Sequence, residues 1–171
     1  MTPWPALPRA LEADPHAAAI RARLDRAARP LWRGAALDAP VVPLDRALAA
    51  VLATASRGGS LVLGLESASA ALDREEHGLA AVATRSGAPR PSRISRLLLL
   101  ADDGAERFYR TAERLTRRHA SRLFTCRVEA PSTALGRVVL GRDAGLKAVL
   151  LSRKDDVVSA LRAIGGERDR A

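Results

Sequence analysis

The segment Arg96-Leu-Leu-Leu-Leu-Ala101 is the most apolar stretch of the chain and does most to decide its fold class. Its apolar run, residues 97–101, is far shorter than the about 20 residues that a membrane-spanning helix needs. Because apolar and polar residues do not alternate in it, the segment predicts a strand buried on both faces of a sheet. The runs Leu-Val-Leu at 61–63 and Ala-Val-Leu-Leu at 148–151 have the same character. We therefore expect a central sheet covered by helices on both sides.

Helical patterns alternate with these strands from residue 44 onward. The predicted helices are residues 44–56, 66–76, 104–120, 132–140 and 155–164, and the predicted strands are 60–63, 96–101, 123–128 and 147–151. Residues 79–94 contain Gly87, Pro89 and Pro91 and are predicted mainly as a loop, an insertion between two elements. The order αβαβαβαβα predicts an α/β fold, specifically a three-layer αβα sandwich.

The first 42 residues predict an N-terminal helical extension. A helix is expected to begin near Asp14 and to end at Pro30, and Leu31 and Trp32 are expected to dock it on the main domain. Two prolines in residues 34–43 predict a linker. The predicted organisation is a helical extension and linker at 1–42, an αβα sandwich domain at 43–165 and a polar tail at 166–171.

The charge of the chain favours a polyanionic partner. Lys and Arg number 28 against 19 Asp and Glu, a net charge of +9, and such a surplus is typical of nucleic-acid-binding proteins. Residues 79–130 carry eleven arginines and five acids, so most of the surplus lies there. The alternative is a compositional bias: Asn and Gln are absent and only two basic residues are lysines, so many arginines would merely solvate the surface.

Patterns typical of catalysis are missing from the sequence. It has no Walker loop, no GxGxxG and no nucleophile elbow, and His16, His77 and His119 lack metal-ligand spacing. His119 continues an apolar helix face, which predicts a packed histidine. Cys126 lies within a predicted strand, which predicts a buried, inert thiol. We therefore expect no enzymatic activity, no cofactor and no metal.

Two further expectations concern location and the acidic pairs. A single cysteine allows no internal disulfide and suits a reducing cytoplasm, and the N-terminus lacks the basic start and apolar core of a secretory signal. We therefore expect a cytoplasmic protein without membrane contact. The pairs Asp102-Asp103 and Asp155-Asp156 come where helices are predicted to begin, which favours interaction with helix N-termini rather than acid–base catalysis.

The helix predicted over 104–120 carries a basic stripe opposite its apolar face. The apolar face consists of Ala105, Phe108, Ala112, Leu115 and His119, and the stripe of Arg107, Arg110, Arg114, Arg117 and Arg118. Such a stripe is typical of nucleic-acid contact, with Tyr109 as the nearest aromatic. The alternative is a solvated face held by Glu106–Arg110 and Glu113–Arg117 pairs at i, i+4 spacing.

Four segments, taken in order, resemble the kink-turn-binding ribosomal-protein superfamily, here as a divergent bacterial-type member. They are S-L-V-L-G-L-E-S-A-S-A-A-L at 60–72, R-L-L-L-L-A-D-D-G at 96–104, A-P-S-T-A-L-G-R-V-V-L-G-R at 130–142 and L-K-A-V-L-L-S at 146–152. The resemblance implies a three-layer αβα sandwich that binds RNA without catalysis. It also implies RNA contacts from two places, the turn that opens the second helix, at 64–70, and the loop before the Leu-Gly helix, at 130–137.

The turn at Gly64 departs from the superfamily pattern Gly-x-Asn-Glu-x-x-Lys. Its Asn, Glu and Lys positions are occupied by Glu66, Ser67 and Ala70. This favours a general or differently specific RNA contact over kink-turn recognition.

The function that we expect is therefore binding of structured or ribosomal RNA, through helix N-termini and an arginine-rich surface. The residues expected at the RNA are Arg57, Gly64, Leu65, Glu66, Ser67, Arg74, Pro131, Ser132, Thr133, Leu135, Gly136 and Arg137. A candidate basic patch adds Arg85, Arg90, Arg93, Arg96, Arg107, Arg110, Arg114, Arg117 and Arg118. Expected partners are RNA and, with it, the ribosome or another protein.

Two alternatives stay open. In the first, the chain is a protein–protein interaction module that keeps the fold but has lost kink-turn RNA recognition, and Trp4, Leu31 and Trp32 of the extension are available to a partner. The other is the substrate-binding domain of a ribose methyltransferase. Because the chain ends at Ala171 without room for a catalytic domain, we expect no methyl transfer from it.

Overall fold

The structure, a computed structural model, describes residues 4–166 as an α/β fold. The helices are α1 (Arg9–Glu12), α2 (Ala17–Ala27), α3 (Arg46–Arg57), α4 (Leu65–Ser86), α5 (Glu106–Arg118), α6 (Ser132–Leu140) and α7 (Lys154–Gly165). The strands are β1 (Ala28–Pro30), β2 (Asp38–Val42), β3 (Leu61–Leu63), β4 (Arg96–Leu100), β5 (Leu123–Val128) and β6 (Ala148–Leu151). The predicted polar tail falls almost wholly outside the described residues.

The strands form one mixed sheet in the order β1-β2-β5-β4-β6-β3. β2, β5 and β4 are parallel to one another, whereas β6 is antiparallel to both β4 and β3, and β1 is antiparallel to β2. The apolar segment that decided the fold class is central, since Leu98 of β4 faces Thr125 on one side and Leu150 on the other. All four leucines of β4 are fully buried.

Alternate side chains of β4 fill two separate cores. Leu97 and Leu99 pack with α2, α3, α6 and α7 on one face of the sheet. Leu98 and Leu100 pack with α4 and α5 on the other face. Burying one leucine stabilises the fold by roughly 2 kcal/mol, which explains why a run without alternation is required. The three-layer α/β arrangement predicted from the sequence is confirmed.

The N-terminal segment is part of the sheet rather than a helix and linker alone. β2 falls inside the predicted linker, and β1 covers the residues that were expected to close the first helix. The two prolines of residues 34–43 led to the prediction of a linker instead of β2. The parallel ladder with β5 uses only Val41 and Val42, which follow Pro40. The predicted docking of Leu31 is confirmed, because this side chain is buried beside α4 and α5.

Helix α4 is twice as long as the sequence indicated. Residues 79–86 were predicted as part of a loop, but they continue the helix, and the left-handed Gly87 ends it instead of Gly78. A single glycine costs only about 1 kcal/mol within a helix, and the alanine-rich turns after it favour helix. Helix α4 is about 33 Å long, which is longer than the strands on which it packs. Near its C-terminal end, the side chains of Leu79 and Val82 are 42% and 55% exposed.

None of the helices within residues 4–166 combines the length and apolar character needed to cross a bilayer.

Candidate nucleic-acid interface

The two turns expected at the RNA lie at the same edge of the sheet. The N–H of Gly64 donates to Ala148 O over 2.8 Å, and the N–H of Leu146 donates to Ser132 O over 3.0 Å. Residues 146–148, just before and at the start of β6, therefore connect the beginning of α4 with the beginning of α6. Gly64 has φ +87°, which explains why glycine is needed where β3 turns into α4.

The beginning of α6 is occupied by the protein itself. Asp103 accepts hydrogen bonds from Ser132 N at 3.0 Å and from Ser132 Oγ at 2.9 Å. Leu135 and Gly136 are buried, and a Cβ at Gly136 would lie 1.7 Å from Ala144 O. Ser132, Leu135 and Gly136 are therefore engaged in contacts within the protein, and their contact with RNA stays a prediction. The Leu-Gly pattern is a packing feature that lets α6 approach the neighbouring loop.

The exposed side chains at this edge have mixed charge. Glu66, Asp102 and Lys147 are all exposed, and Arg137 is paired with Asp143 at 2.8 Å. Because the carboxylates oppose phosphate, the edge offers no continuous cationic surface. Leu65 is half-buried, whereas Ser67, Pro131 and Thr133 are exposed, and their role at RNA stays a prediction.

Arg57 and Arg74 do not join this edge. Arg57 ends α3 and precedes the start of β3, so it lies at the opposite end of the sheet from Gly64. Arg74 lies on the exposed side of α4, about 15 Å along the helix from Gly64. The structure therefore does not bring these two arginines and the two turns together in one site.

The arginines of residues 90–96 are held by carboxylates. Arg90 makes a bidentate pair with Glu76 at 2.6 and 2.9 Å, and Arg96 pairs with Glu75 at 3.0 Å. Hydrogen bonds from Arg90 hold the pKa of Glu76 below its ordinary value.

Arg93 pairs with Glu12 at 2.7 Å and donates to Leu7 O at 2.6 Å. Arg85 is exposed near the end of α4, and its Nε donates to Ala81 O at 3.4 Å. The predicted basic patch therefore does not extend through residues 90–96. These arginines join the segment before β4 to α4 and to the N-terminal segment instead.

Helix α5 buries more of its surface than its apolar pattern indicated. Ala112, Leu115 and His119 are buried as predicted. Tyr109 is buried as well, and its OH donates to Ala101 O at 2.6 Å, while burial raises the pKa of the Tyr109 hydroxyl. Tyr109 is thus not available to stack on a base. Ala105 is exposed and precedes the first turn of the helix.

Glu113 does not pair with Arg117. It is only 7% exposed and accepts hydrogen bonds from Trp32 Nε1 at 2.6 Å, Ala36 N at 2.8 Å and Leu37 N at 3.0 Å. The donors lie more than 75 residues away in sequence, so no local pattern reveals them. The docking predicted for Trp32 is confirmed, and Arg117 is left without a carboxylate partner within residues 4–166.

The outward side of α5 forms a cationic surface, which we call the α5 arginine surface and define as Arg107, Arg110, Arg114 and Arg117. All four are exposed, and they extend over about 15 Å of helix. Arg110 pairs with Glu106 at 2.5 Å, as predicted, and lies over the Trp32 ring at 4.5 Å. Within the described residues, no carboxylate pairs with the other three.

Two hollows flank α5. Towards α4, an open groove of about 840 Å³ has Leu65, Phe108 and Leu115 on its apolar floor, with Asp73 and Arg118 among the charged residues along it. Asp73 and Arg118 form an ion pair at 3.2 Å.

Towards the N-terminal segment, a pocket of about 270 Å³ is lined mainly by apolar side chains, among them Trp4, Leu37 and Phe124. Asp38 and Arg117 are its two charged residues. No sequence pattern indicated this pocket, because its residues come from four separate segments.

His119 and Cys126 are both buried and pack within the fold. His119 Nε2 lies 3.1 Å from Asp73 Oδ1, and burial lowers the pKa of His119 although Asp73 opposes the shift. Burial raises the pKa of the Cys126 thiol, so the thiolate nucleophile is suppressed. Within residues 4–166, no group of three or more His, Cys, Asp or Glu side chains is arranged to hold a metal ion.

No protein-family model matches this chain, and no curated protein sequence matches it either. Its place in the kink-turn-binding superfamily stays a prediction.

Proposed function

We propose that this chain is a non-catalytic protein that binds structured RNA, and that the α5 arginine surface is its principal interface. The observation that carries the proposal is the exposure of Arg107, Arg114 and Arg117 without a carboxylate partner in the described residues. Nine other basic side chains are engaged in ion pairs. Other exposed arginines without a carboxylate partner are spread over several elements of the described residues, and α5 is distinct in carrying three of them along one helix.

Guanidinium groups suit the proposed contact with RNA. Arginine binds phosphate bidentately and keeps its charge at every physiological pH. Successive turns of α5 repeat every 5.4 Å, so the arginines can follow a sugar–phosphate backbone. Arg110 and the half-buried Trp32 add a planar stacked pair at the margin of the surface, and such groups stack on unpaired bases.

The shape around α5 favours structured RNA over duplex DNA. A recognition helix has to protrude to enter the major groove of B-DNA. Helix α5 instead lies on the sheet, between α4 and residues 31–38, with a hollow on each side. Structured RNA presents bulges, loops and splayed bases that fit an uneven surface of this kind.

The test compares two triple variants with equal charge loss. R107Q/R114Q/R117Q removes the unpaired arginines of the α5 arginine surface. The matched control R26Q/R46Q/R153Q removes exposed arginines of α2, α3 and the turn before α7, which also have no carboxylate partner among the described residues.

Filter binding to a structured RNA at low salt measures the dissociation constant of each variant. We expect the α5 variant to bind roughly a hundredfold more weakly, at about 1 kcal/mol per lost phosphate contact, and the control to stay within about threefold. Equal loss in both variants would show that total charge, not α5, holds the RNA. Failure of the unmodified chain to bind RNA at low salt would refute the function itself.

A second candidate function is protein–protein interaction, including contact with the ribosome. The observation that favours it is the projecting end of α4, where Leu79 and Val82 are exposed. Light scattering and affinity capture with the unmodified chain and with L79E/V82E test it. This function requires capture of a protein that the variant loses; a chain that stays monomeric and captures RNA alone would contradict it.

A further inference from the structure

We propose that the pocket between the N-terminal segment and α5 binds one unpaired guanine base. The proposal rests on the RNA-binding function above and identifies the part of the RNA that the chain reads.

The pocket forms where two parallel strands diverge. β2 and β5 pair only at Val41–Arg127 and Val42–Val128, whereas the earlier part of β5 pairs only with β4. The opening between Leu37–Asp38 and the start of β5 is the pocket, with a volume of about 270 Å³. A slot between two strands accepts a flat ring more readily than a branched side chain.

Aromatic and aliphatic side chains supply the walls. Trp4 and Phe124 meet edge to face with ring centroids 5.0 Å apart, and Arg21 lies 5.4 Å from the centre of the Trp4 ring. Leu37 lines the pocket nearby. Phe124 is buried and supports the Trp4 ring, so the half-buried Trp4 is the aromatic ring that a base would stack on. Unpaired bases in RNA are held in this way, because stacking on an aromatic ring replaces the stacking lost in the helix.

The two charged residues of the pocket are not used by the fold. Asp38 is half-buried and Arg117 is exposed, and within residues 4–166 neither side chain has an ion pair or hydrogen bond. Arg117 also belongs to the α5 arginine surface, so a base in the pocket would be continuous with a backbone bound along α5. A nucleotide supplies both needs, with N–H donors for Asp38 and a phosphate for Arg117.

The carboxylate selects guanine among the four bases. An ionised carboxylate accepts hydrogen bonds through two oxygens and donates none. The Watson–Crick edge of guanine presents N1–H and the N2 amino group side by side, which match the two oxygens. Adenine and cytosine present an amino group beside an acceptor nitrogen, and uracil presents one N–H between two carbonyls. Each of these would place an acceptor against Asp38.

The first experiment uses free mononucleotides and needs no RNA. Isothermal titration calorimetry of the unmodified chain measures the affinity for each nucleotide directly, so Trp32 keeps its hydrogen bond to Glu113. We expect GMP to bind about tenfold more tightly than IMP, which lacks only the N2 amino group. The nearly isosteric D38N is expected to remove this preference. Equal affinity for GMP and IMP in the unmodified pocket would overturn the proposal, as would a D38N chain that is folded by circular dichroism and keeps the preference.

The second experiment places the base in RNA. Three hairpins differ only in having a bulged guanosine, a bulged inosine or no bulge. We expect about tenfold tighter binding to the guanosine bulge, lost in D38N, with the affinity for the fully paired hairpin unchanged. Equal binding of all three hairpins would overturn the guanine pocket while leaving RNA binding by α5 intact. No binding of any hairpin would refute the RNA function, and GMP selectivity would then identify the site as one for the free nucleotide.

Discussion

Two groups of arginines in this chain have the same side-chain chemistry but differ in whether carboxylates pair with them. Arg90 and Arg96 are neutralised by carboxylates of α4, whereas Arg107, Arg114 and Arg117 on α5 have no such partner among the described residues. The acids that neutralise the first group lie 14 and 21 residues from the arginines they bind. The net charge of a segment therefore does not locate a binding surface, because tertiary ion pairs decide which arginines are available.

Arg122 gives the sharpest test of a held arginine. It is 5% exposed and donates to Glu75 at 2.6 Å and to Leu72 O at 2.9 Å. Since R122M leaves the carbonyl of Leu72 without this donor and removes one of the two arginines that pair with the partly exposed Glu75, we expect the free energy of unfolding to fall by about 2 kcal/mol. Urea denaturation measures this. The matched variant R114M should change stability by less than about 0.5 kcal/mol, and equal losses in the two variants would remove the distinction between the groups.

A variant of Glu113 tests whether this carboxylate holds residues 32–37 instead of pairing with Arg117. E113Q keeps the shape but loses the charge that attracts Trp32 Nε1 and two backbone N–H groups. We expect stability to fall by about 1–2 kcal/mol and the emission of Trp32 to shift towards that of an exposed indole. The control is E106Q, which removes a surface pair and should cost less than about 0.5 kcal/mol. Equal, small effects would mean that Glu113 does not hold residues 32–37.

A variant of Arg90 tests the arginines that are paired with carboxylates of α4, at a position where the pair is partly exposed. R90Q removes the bidentate pair with Glu76, both partners of which are partly exposed. We expect only a small loss of stability, because solvent screens the pair, and an RNA dissociation constant within about twofold of the unmodified chain. A tenfold weaker RNA affinity would return the segment before β4 to the interface.

The smallest expected effect is a pH dependence from His119, whose partner Asp73 also pairs with Arg118 of α5. Burial lowers the pKa of His119 below 6.5 in the folded chain, so the unfolded chain binds the proton first. The stabilisation is therefore complete above pH 6.5 and is lost as pH falls below it. Unfolding free energies at pH 7.5 and 5.5 should differ less in H119Q than in H77Q, whose exposed histidine serves as control. An identical pH response of the two variants would contradict this assignment.

Local patterns predicted the parts of the fold that depend on neighbours in sequence. The bounds of α6 are those predicted, because Ser132 to Leu140 carry a helical period that ends at a glycine, and β4 follows from its apolar run. The length of α4 was missed because Gly78 resembles a terminus. β2 was missed because prolines are rare in strands. The parallel ladder with β5 nevertheless forms, because it begins at Val41, after Pro40.

The candidate site was predictable only in part. The stripe on α5 follows from helical spacing, and so does the Glu106–Arg110 pair. The pairing of Glu113 with Trp32, and the pocket around Asp38, required the tertiary fold. Conversely, the turn at Ser132 resembled an anion site by its sequence, but Asp103 occupies it.

The most direct test of the α5 arginine surface as the RNA interface is the salt dependence of binding. The slope of log K against log salt reports how many phosphates are neutralised. For R107Q/R114Q/R117Q we expect the slope to fall in magnitude by about 2–3, roughly 0.7–0.9 per lost phosphate contact. The variant R90Q/R93Q/R96Q should keep the slope of the unmodified chain. An unchanged slope in the α5 variant, with a reduced slope in the variant of residues 90–96, would contradict the account.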